Sequence, residues 1–178
     1  MQPKLLNTVG QSLMAIGLYT VAFESLVLTI KAQMQGHLQK HDPAALKKFY
    51  GSLGTSNSTL KFCEPRLVAE GVVDSTDMSS LVAIRRRRNK MAHEGYNETF
   101  DLTIDDVAED IRAMFIVAKK VENWRQATAA TSSTGSTPFT IAPSIFILYL
   151  QAAQQLAKTT LAIPPENSEA YLLVQGDA

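Results

Sequence analysis

The residues best suited to chemistry lie in one stretch of twelve residues. Residues 85–96 read RRRRNKMAHEGY, with four consecutive arginines, an asparagine and a histidine five residues after the last arginine. The whole chain has 17 basic and 17 acidic residues, so any attraction for phosphate must come from such a local cluster. A basic run of this kind is either a helix face solvated by water or part of a binding site.

Helix geometry distinguishes Arg88 from the other arginines. A helix turns roughly 100° per residue, which places Arg88 on an apolar stripe and leaves Arg86 and Arg87 facing water. An unpaired guanidinium among apolar side chains is costly, so Arg88 requires a carboxylate, a facing subunit or a phosphate. Arg85 flanks the stripe, whose members are Leu81, Ile84, Arg88, Met91 and Ala92.

Two groups of acids are candidate partners for Arg88. Glu24 is the only acid in the first 41 residues and has apolar neighbours on its helix. A pair between Glu24 and either Arg88 or Arg85 would satisfy both charges. The other source is the acidic start of a later helix, where the carboxylates also complement the helix dipole; these acids are Asp105, Asp106, Glu109 and Asp110.

His93 and Asn89 are the other candidate site residues of this helix. On an undistorted helix His93 and Arg88 diverge by roughly 140°, but Gly95 is expected to end the helix, and a frayed last turn would let the two share a cleft. Asn89 and His93 are spaced i, i+4 and can hydrogen-bond. The alternative is a histidine that interacts only with the dipole at the helix end.

The elements that position these residues are predicted to be helices, because helical periodicity recurs along the chain and strand signals are weak. The strongest stripe comprises Val107, Ile111, Met114, Ala118 and Val121. We predict an all-α domain over 1–126, a linker over 127–142, and a C-terminal helix and tail over 143–178 packed on the same domain. Predicted helices span residues 4–36, a short segment from Pro43, about 57–72 with a kink or split at Pro65, 78–95 capped by Asp77, about 104–126 capped by Thr103, and 143–161.

Composition indicates a cytoplasmic protein that does not enter a membrane. The one cysteine, Cys63, excludes an intrachain disulfide and is expected to be a buried thiol. No signal peptide is evident, and no run reaches the ~18 apolar residues of a membrane span. The three histidines, His37, His41 and His93, lack ligand spacing with acids or the cysteine, so neither a metal nor a cofactor is expected.

The segment Arg88–His93 resembles the signature of the HEPN superfamily, an arginine followed by four to six residues and a histidine near a helix end. The wording RNKMAHEG and the order of the helices over residues 4–126 are also similar to that superfamily. The resemblance implies an up-and-down bundle of four to five core helices, here with an extra C-terminal helix. It also implies a homodimer in which two Arg–His motifs line one cleft.

What the resemblance implies for function is a metal-independent endoribonuclease of the toxin or phage-defence type. The RNA 2′-hydroxyl would attack the neighbouring phosphate, with His93 as general acid or base and Arg88 binding the phosphate. Asn89 would orient His93 or the phosphate. RNA would be attracted by Arg85, Arg86, Arg87 and Lys90, and Glu24 would support Arg88.

The chain also departs from the family pattern. One HEPN branch carries a tyrosine two residues after the histidine, which its antitoxin modifies, whereas Tyr96 stands three residues after His93. We therefore expect an antitoxin or other regulatory partner on the basis of the resemblance alone. Tyr96 is a supporting residue next to the motif. Two rival interpretations stay open: a non-catalytic module that binds RNA, a nucleotide or a protein, and a structural motif with Arg88 paired to Glu24.

Overall fold

Six helices and no strand make up the part of the chain that the computed structural model describes, namely the backbone of residues 3–98, 104–129 and 144–158. Side chains are described for residues 12–93, 107–127, 145–153 and 155. The all-α prediction is confirmed. The helices are α1 (Pro3–His41), α2 (Pro43–Ser52), α3 (Ser56–Ala69), α4 (Ser75–Glu98), α5 (Ile104–Ala129) and α6 (Ser144–Lys158).

Helix α1 is the centre of the fold, because all the other helices pack against it. Its buried side chains lie on most of its circumference and include Tyr19, Phe23, Leu26, Ile30 and Met34, each fully buried. Helix α5 supplies the largest facing surface through its predicted stripe, Val107, Ile111, Met114, Ala118 and Val121, all of which are fully buried. The prediction that α5 presents one apolar face is confirmed.

Helix α1 is longer than predicted, since it continues past Gly36 to His41. Leu38 is 1% exposed, and burying this side chain against the core stabilises the extra turn. The chain then turns at Asp42, whose carboxylate accepts a hydrogen bond from the backbone N–H of Ala45. Pro43 occupies the first position of α2, as predicted from its preference for that place.

Helix α3 is not split at Pro65, which lies inside a continuous helix. Proline removes one hydrogen bond of the helix, but Pro65 is exposed, as is Lys61, four residues earlier, whose carbonyl loses its donor. Water can therefore solvate that carbonyl. The helix ends earlier than predicted because Gly71, with a φ of 67°, closes it: Gly71 N–H donates to Val68 and the next N–H to the carbonyl of Leu67.

Helix α4 differs from the prediction at both ends. Its first turn is capped by Asp74, whose carboxylate accepts from the backbone N–H groups of Thr76 and Asp77, while Asp77 Oδ2 accepts from Asp74 N–H. The prediction of Asp77 as N-cap is therefore wrong, because Asp77 closes the capping box from inside the helix. The prediction that Gly95 ends the helix is also wrong, since α4 continues to Glu98.

Helix α6 lies against α5 and α1, which places it on the same body as the other helices. Phe146 and Ala153 are buried, and the hydroxyl groups of Tyr149 and Ser25 hydrogen-bond at 3.0 Å. The predicted linker begins too early, because α5 is helical through Ala129. The predicted cap at Thr103, the rest of that linker and the tail after 158 lie outside the described residues.

One face of α1 is exposed and apolar. We call it the α1 stripe; it comprises Leu13, Met14, Gly17, Val21 and Leu28, and its four apolar side chains are 49–58% exposed. Residues Ser12–His41 of α1 are long and apolar enough to span a membrane by length and composition, a segment that the sequence prediction did not single out. The core helix of a soluble protein passes the same test, and half of this segment's most apolar window is buried inside the protein.

The far end of α1 carries a half-buried imidazole at the meeting point of three helices. His37 stacks on His41 and on Trp124 of α5, with ring centroids 4.8 and 4.7 Å away, and its Nε2 lies 3.6 Å from Glu70 Oε1. Its Nδ1 is buried and has no hydrogen-bond partner among the described residues. Burial therefore lowers the pKa of His37. The Glu70 carboxylate raises this pKa, whereas His41 and Arg66 lower it further.

Stability is expected to decrease as the pH falls below about 6.5, the ordinary pKa of histidine. Below that pH the histidine is protonated in the unfolded chain but stays neutral in the folded protein, so lowering the pH favours the unfolded state. The loss of stability ends once the pH falls below the lowered pKa of folded His37. Chemical denaturation of wild type and His37→Gln between pH 5 and 8 measures the effect. The variant should lose part of this slope. His41→Gln, at an exposed position, should keep most of it, because burial is the largest cause of the lowered pKa of His37. Equal slopes for wild type and His37→Gln would contradict the expectation.

Candidate functional site

The four arginines of α4 project in different directions because each residue advances roughly 100° around the helix. Arg88 points to α1, where its Nη2 donates to Glu24 Oε1 at 3.0 Å and its guanidinium lies 5.7 Å from the centroid of the Phe23 ring. The side chains of Arg88 and Glu24 are 31% and 37% exposed. Of the alternatives left open by the sequence, the structure pairs Glu24 with Arg88, at the edge of the core rather than inside it.

Arg85 takes a different acid. Its Nη1 donates to both carboxylate oxygens of Glu64 on α3, at 2.9 and 3.2 Å. The two side chains are 19% and 11% exposed, which makes this the more deeply buried pair. The sequence did not identify Glu64 as a partner, because Glu64 lies 21 residues away on a helix whose rotation about its axis is set only by packing. Arg85 is therefore engaged in an intramolecular pair.

Arg87 is half-buried and paired, so the expectation that water alone solvates it is wrong. Its Nε lies 3.4 Å from Asp110 Oδ2 on α5. The same carboxylate oxygen accepts from the hydroxyl of Tyr19 at 2.8 Å, and that hydroxyl also lies 3.0 Å from the carbonyl oxygen of Ile84. Burial and the negative charge of Asp110 raise the pKa of Tyr19 well above its usual range. Three helices therefore meet at one neutral phenol.

Arg86 and Lys90 are the exposed cations of the basic run, as the helix geometry predicted for Arg86. Asn89 is half-buried and its Oδ1 accepts from Asn57 Nδ2 at 3.3 Å. Within the described side chains Asn89 makes no hydrogen bond to His93. The i, i+4 bond that the spacing allows is therefore not formed.

The first turn of α3 contributes residues that the sequence did not predict. Ser56 donates its hydroxyl hydrogen to Glu24 Oε2 at 2.7 Å, and Asn57 contacts Asn89. Asn57 Oδ1 is buried without a partner among the described residues. Both residues belong to the sequence GTSNST, whose only signal in advance is that several of its side chains carry hydrogen-bonding groups. Its approach to α1 and α4 is decided by tertiary packing.

His93 is exposed, and the helix around it is continuous to Glu98, so no frayed turn brings it next to Arg88 within one chain. Ala92, predicted to lie on the apolar stripe, is exposed as well, whereas Leu81, Ile84 and Met91 are buried. The side chain of Tyr96 lies outside the described ones. The structure therefore pairs Arg88 with Glu24 and Asn89 with Asn57, and leaves His93 about a turn further along α4.

The resulting arrangement can bind an anion. Arg88 has five N–H donors, of which Glu24 takes one, and its side chain is 31% exposed. Among the described residues, no group of three or more His, Cys, Asp or Glu side chains could hold a metal ion. Cys63 is fully buried, as expected for a structural thiol, and burial raises its pKa to about 12.

The arginines of α4 are expected to differ in their contribution to stability. Arg85→Ala should lower the free energy of unfolding by about 2 kcal/mol, because it leaves the Glu64 carboxylate buried without a partner. Arg86→Ala, the matched control one residue away, should change it by no more than about 0.5 kcal/mol. Urea denaturation measures both. The double variant Arg85→Ala/Glu64→Gln should recover part of the loss, and equal stabilities for the two single variants would refute the structural role of the pair.

Comparison with known proteins adds no relative: no protein-family model matches the chain, and no curated protein or solved structure matches it significantly.

Proposed function

We propose that the protein is a metal-independent endoribonuclease of the HEPN type, acting as a homodimer. The observation that supports this best is the state of Arg88: Glu24 takes one of its five donors, and the side chain is partly exposed. A buried structural pair would use the side chain fully. A guanidinium that is held in place but keeps donors in reserve suits a phosphate group, whose oxygens accept two parallel hydrogen bonds from arginine.

The proposed chemistry needs an acid–base group and a group that stabilises negative charge. A base removes the proton of the RNA 2′-hydroxyl, whose oxygen attacks the adjacent phosphorus, and an acid protonates the departing 5′-oxygen. The products are a 2′,3′-cyclic phosphate and a 5′-hydroxyl. His93 is exposed, and its imidazole can both accept and donate a proton, which suits either transfer. Arg88 stabilises the charge that develops on the phosphate, and Asn89 adds an amide donor.

A second copy of the chain would complete this site. On the continuous helix, Arg88 and His93 of one chain diverge by roughly 140°, so one phosphate is reached more readily by groups from two facing α4 helices. The α1 stripe offers a surface for such an association, because large apolar side chains are exposed along it. Glu24 lies in the middle of this face, since Met14, Gly17, Val21, Glu24 and Leu28 follow one another at spacings of three and four residues.

A non-catalytic module is the second candidate, and the Arg88–Glu24 pair favours it. If the carboxylate satisfies the guanidinium, the motif helix holds the fold together and presents Arg86 and Lys90 as a basic surface for RNA, a nucleotide or an acidic protein. The proposed partners are in either case RNA, a second copy of the chain and a regulatory protein such as an antitoxin.

RNA cleavage in the presence of EDTA tests the proposed reaction. Wild type should cut a labelled single-stranded RNA and leave cyclic-phosphate ends, whereas His93→Ala should lower kcat at least about 100-fold, the range expected for loss of a general acid–base group. His41→Ala is the matched control, because His41 is also exposed on a helix but lies at the far end of α1. Binding without cleavage by wild type would favour the non-catalytic module, and a wild type that neither cuts nor binds RNA would reject the ribonuclease and the RNA-binding form of the module.

Self-association through the α1 stripe is a separate expectation. Leu28→Glu places a charge on a side chain that is 51% exposed, and should convert a dimer into a monomer. Ile116→Glu is the control, since Ile116 is 45% exposed and belongs to α5 rather than to the α1 stripe. Sedimentation equilibrium measures the mass, and thermal unfolding checks that the fold is retained. A wild type that sediments as a monomer while cutting RNA would contradict the proposed composite site.

A further inference from the structure

We propose that the first turn of α3 positions the phosphate-binding groups of α4: Ser56 holds Arg88 in place through Glu24, and Asn57 holds Asn89. Both are positioning residues rather than catalytic ones, since they act through another side chain. The inference rests on the proposed ribonuclease function for its kinetic consequence, but the hydrogen-bonded chain itself is a property of the fold and has its own measurement below.

The chain of contacts runs across three helices. Each oxygen of the Glu24 carboxylate has a different partner: Oε2 accepts from Ser56 Oγ at 2.7 Å, and Oε1 accepts from Arg88 Nη2 at 3.0 Å. A glutamate held at one oxygen can still rotate, whereas one held from α3 and from α4 keeps a single orientation. Because Phe23 lies under the guanidinium, Arg88 is held by a charge and a ring, with its other donors left for a ligand.

Ser56 is free for this task because its neighbours cap the helix. Thr55 Oγ1 accepts from the backbone N–H of Ser58, and Ser58 Oγ accepts from Thr55 N–H, which closes a capping box without Ser56. The hydroxyl of Ser56 is therefore not needed to end the helix. It instead anchors a carboxylate at the positive end of the α3 dipole, which favours negative charge there.

Asn57 performs the equivalent role for Asn89. Its Nδ2 donates to Asn89 Oδ1 at 3.3 Å, so the carbonyl side of the Asn89 amide is occupied and the amide nitrogen remains as a donor. Adjacent residues of α3 therefore orient adjacent residues of α4. An anion beside Arg88 would meet the guanidinium and the Asn89 amide in a fixed relation, which is the preorganisation that a developing phosphate charge requires.

Kinetics on a labelled random single-stranded RNA, with EDTA present, separate positioning from stability. Ser56→Ala should lower kcat about tenfold and leave KM within about twofold, because a misoriented Arg88 loses more contact with the transition state than with the substrate. Ser56→Thr, which keeps the hydroxyl, should restore the rate. Ser58→Ala is the matched control: it breaks the capping box and lowers the Tm but should keep the wild-type kcat well below its Tm. A rate for Ser56→Ala equal to that of wild type would overturn the proposal.

Side-chain NMR of ¹⁵N-arginine-labelled protein tests the contact without any activity. Rotation about the Nε–Cζ bond of Arg88 should be slow in wild type, faster in Ser56→Ala, and slow again in Ser56→Thr. Glu24→Gln, which removes the charge but preserves the shape, should also speed it and provides the test if Ser56→Ala does not fold. If wild type cuts no RNA, the proposed function fails while these rates still decide whether Ser56 holds Arg88; unchanged rates in both variants would refute the chain of contacts.

Discussion

The attachment of α4 to the rest of the molecule depends on three ion pairs. Their arginines lie close together on α4 but point in different directions around the helix. The described part of α4 buries only Leu81, Ile84 and Met91 as large apolar side chains, which is little for a helix of 24 residues. Arg85, Arg87 and Arg88 instead reach acids on three other helices. Since each guanidinium extends over a long side chain, these pairs connect α4 to α3 as well as to α1 and α5, against which it packs.

This mode of attachment explains why the basic run is not one uniform surface. Arg85 and Glu64 are the most deeply buried of the three pairs, and breaking such a pair strands a charge away from water. The pair between Arg88 and Glu24 is half-exposed, so solvent screens it and its contribution to stability is small. The same helix thus carries Arg85, whose pair with Glu64 stabilises the fold, and Arg88, whose guanidinium can exchange part of its hydration for a ligand.

The fold could be predicted from the sequence wherever the spacing of apolar residues alone defines the buried face of a helix. The stripe from Val107 to Val121 repeats every three or four residues, and every predicted member is buried. Helix ends were less predictable, because they depend on competition between local and tertiary effects. Gly95 favours termination, yet α4 passes through it, and Gly36 does the same in α1, where burial of Leu38 supports the next turn.

The sequence by itself determined the helical class, the long first helix, the position of Arg88 among apolar neighbours and the choice of Glu24 as a candidate partner. Only the tertiary structure decided between Arg85 and Arg88 for that carboxylate, assigned Asp110 to Arg87, and brought in Ser56, Asn57 and Glu64. The physical reason is that local periodicity specifies which face of a helix is buried, whereas the pairing of charged side chains depends on the rotation and offset of helices that are distant in the chain. Those offsets are set by the whole core, not by any single segment.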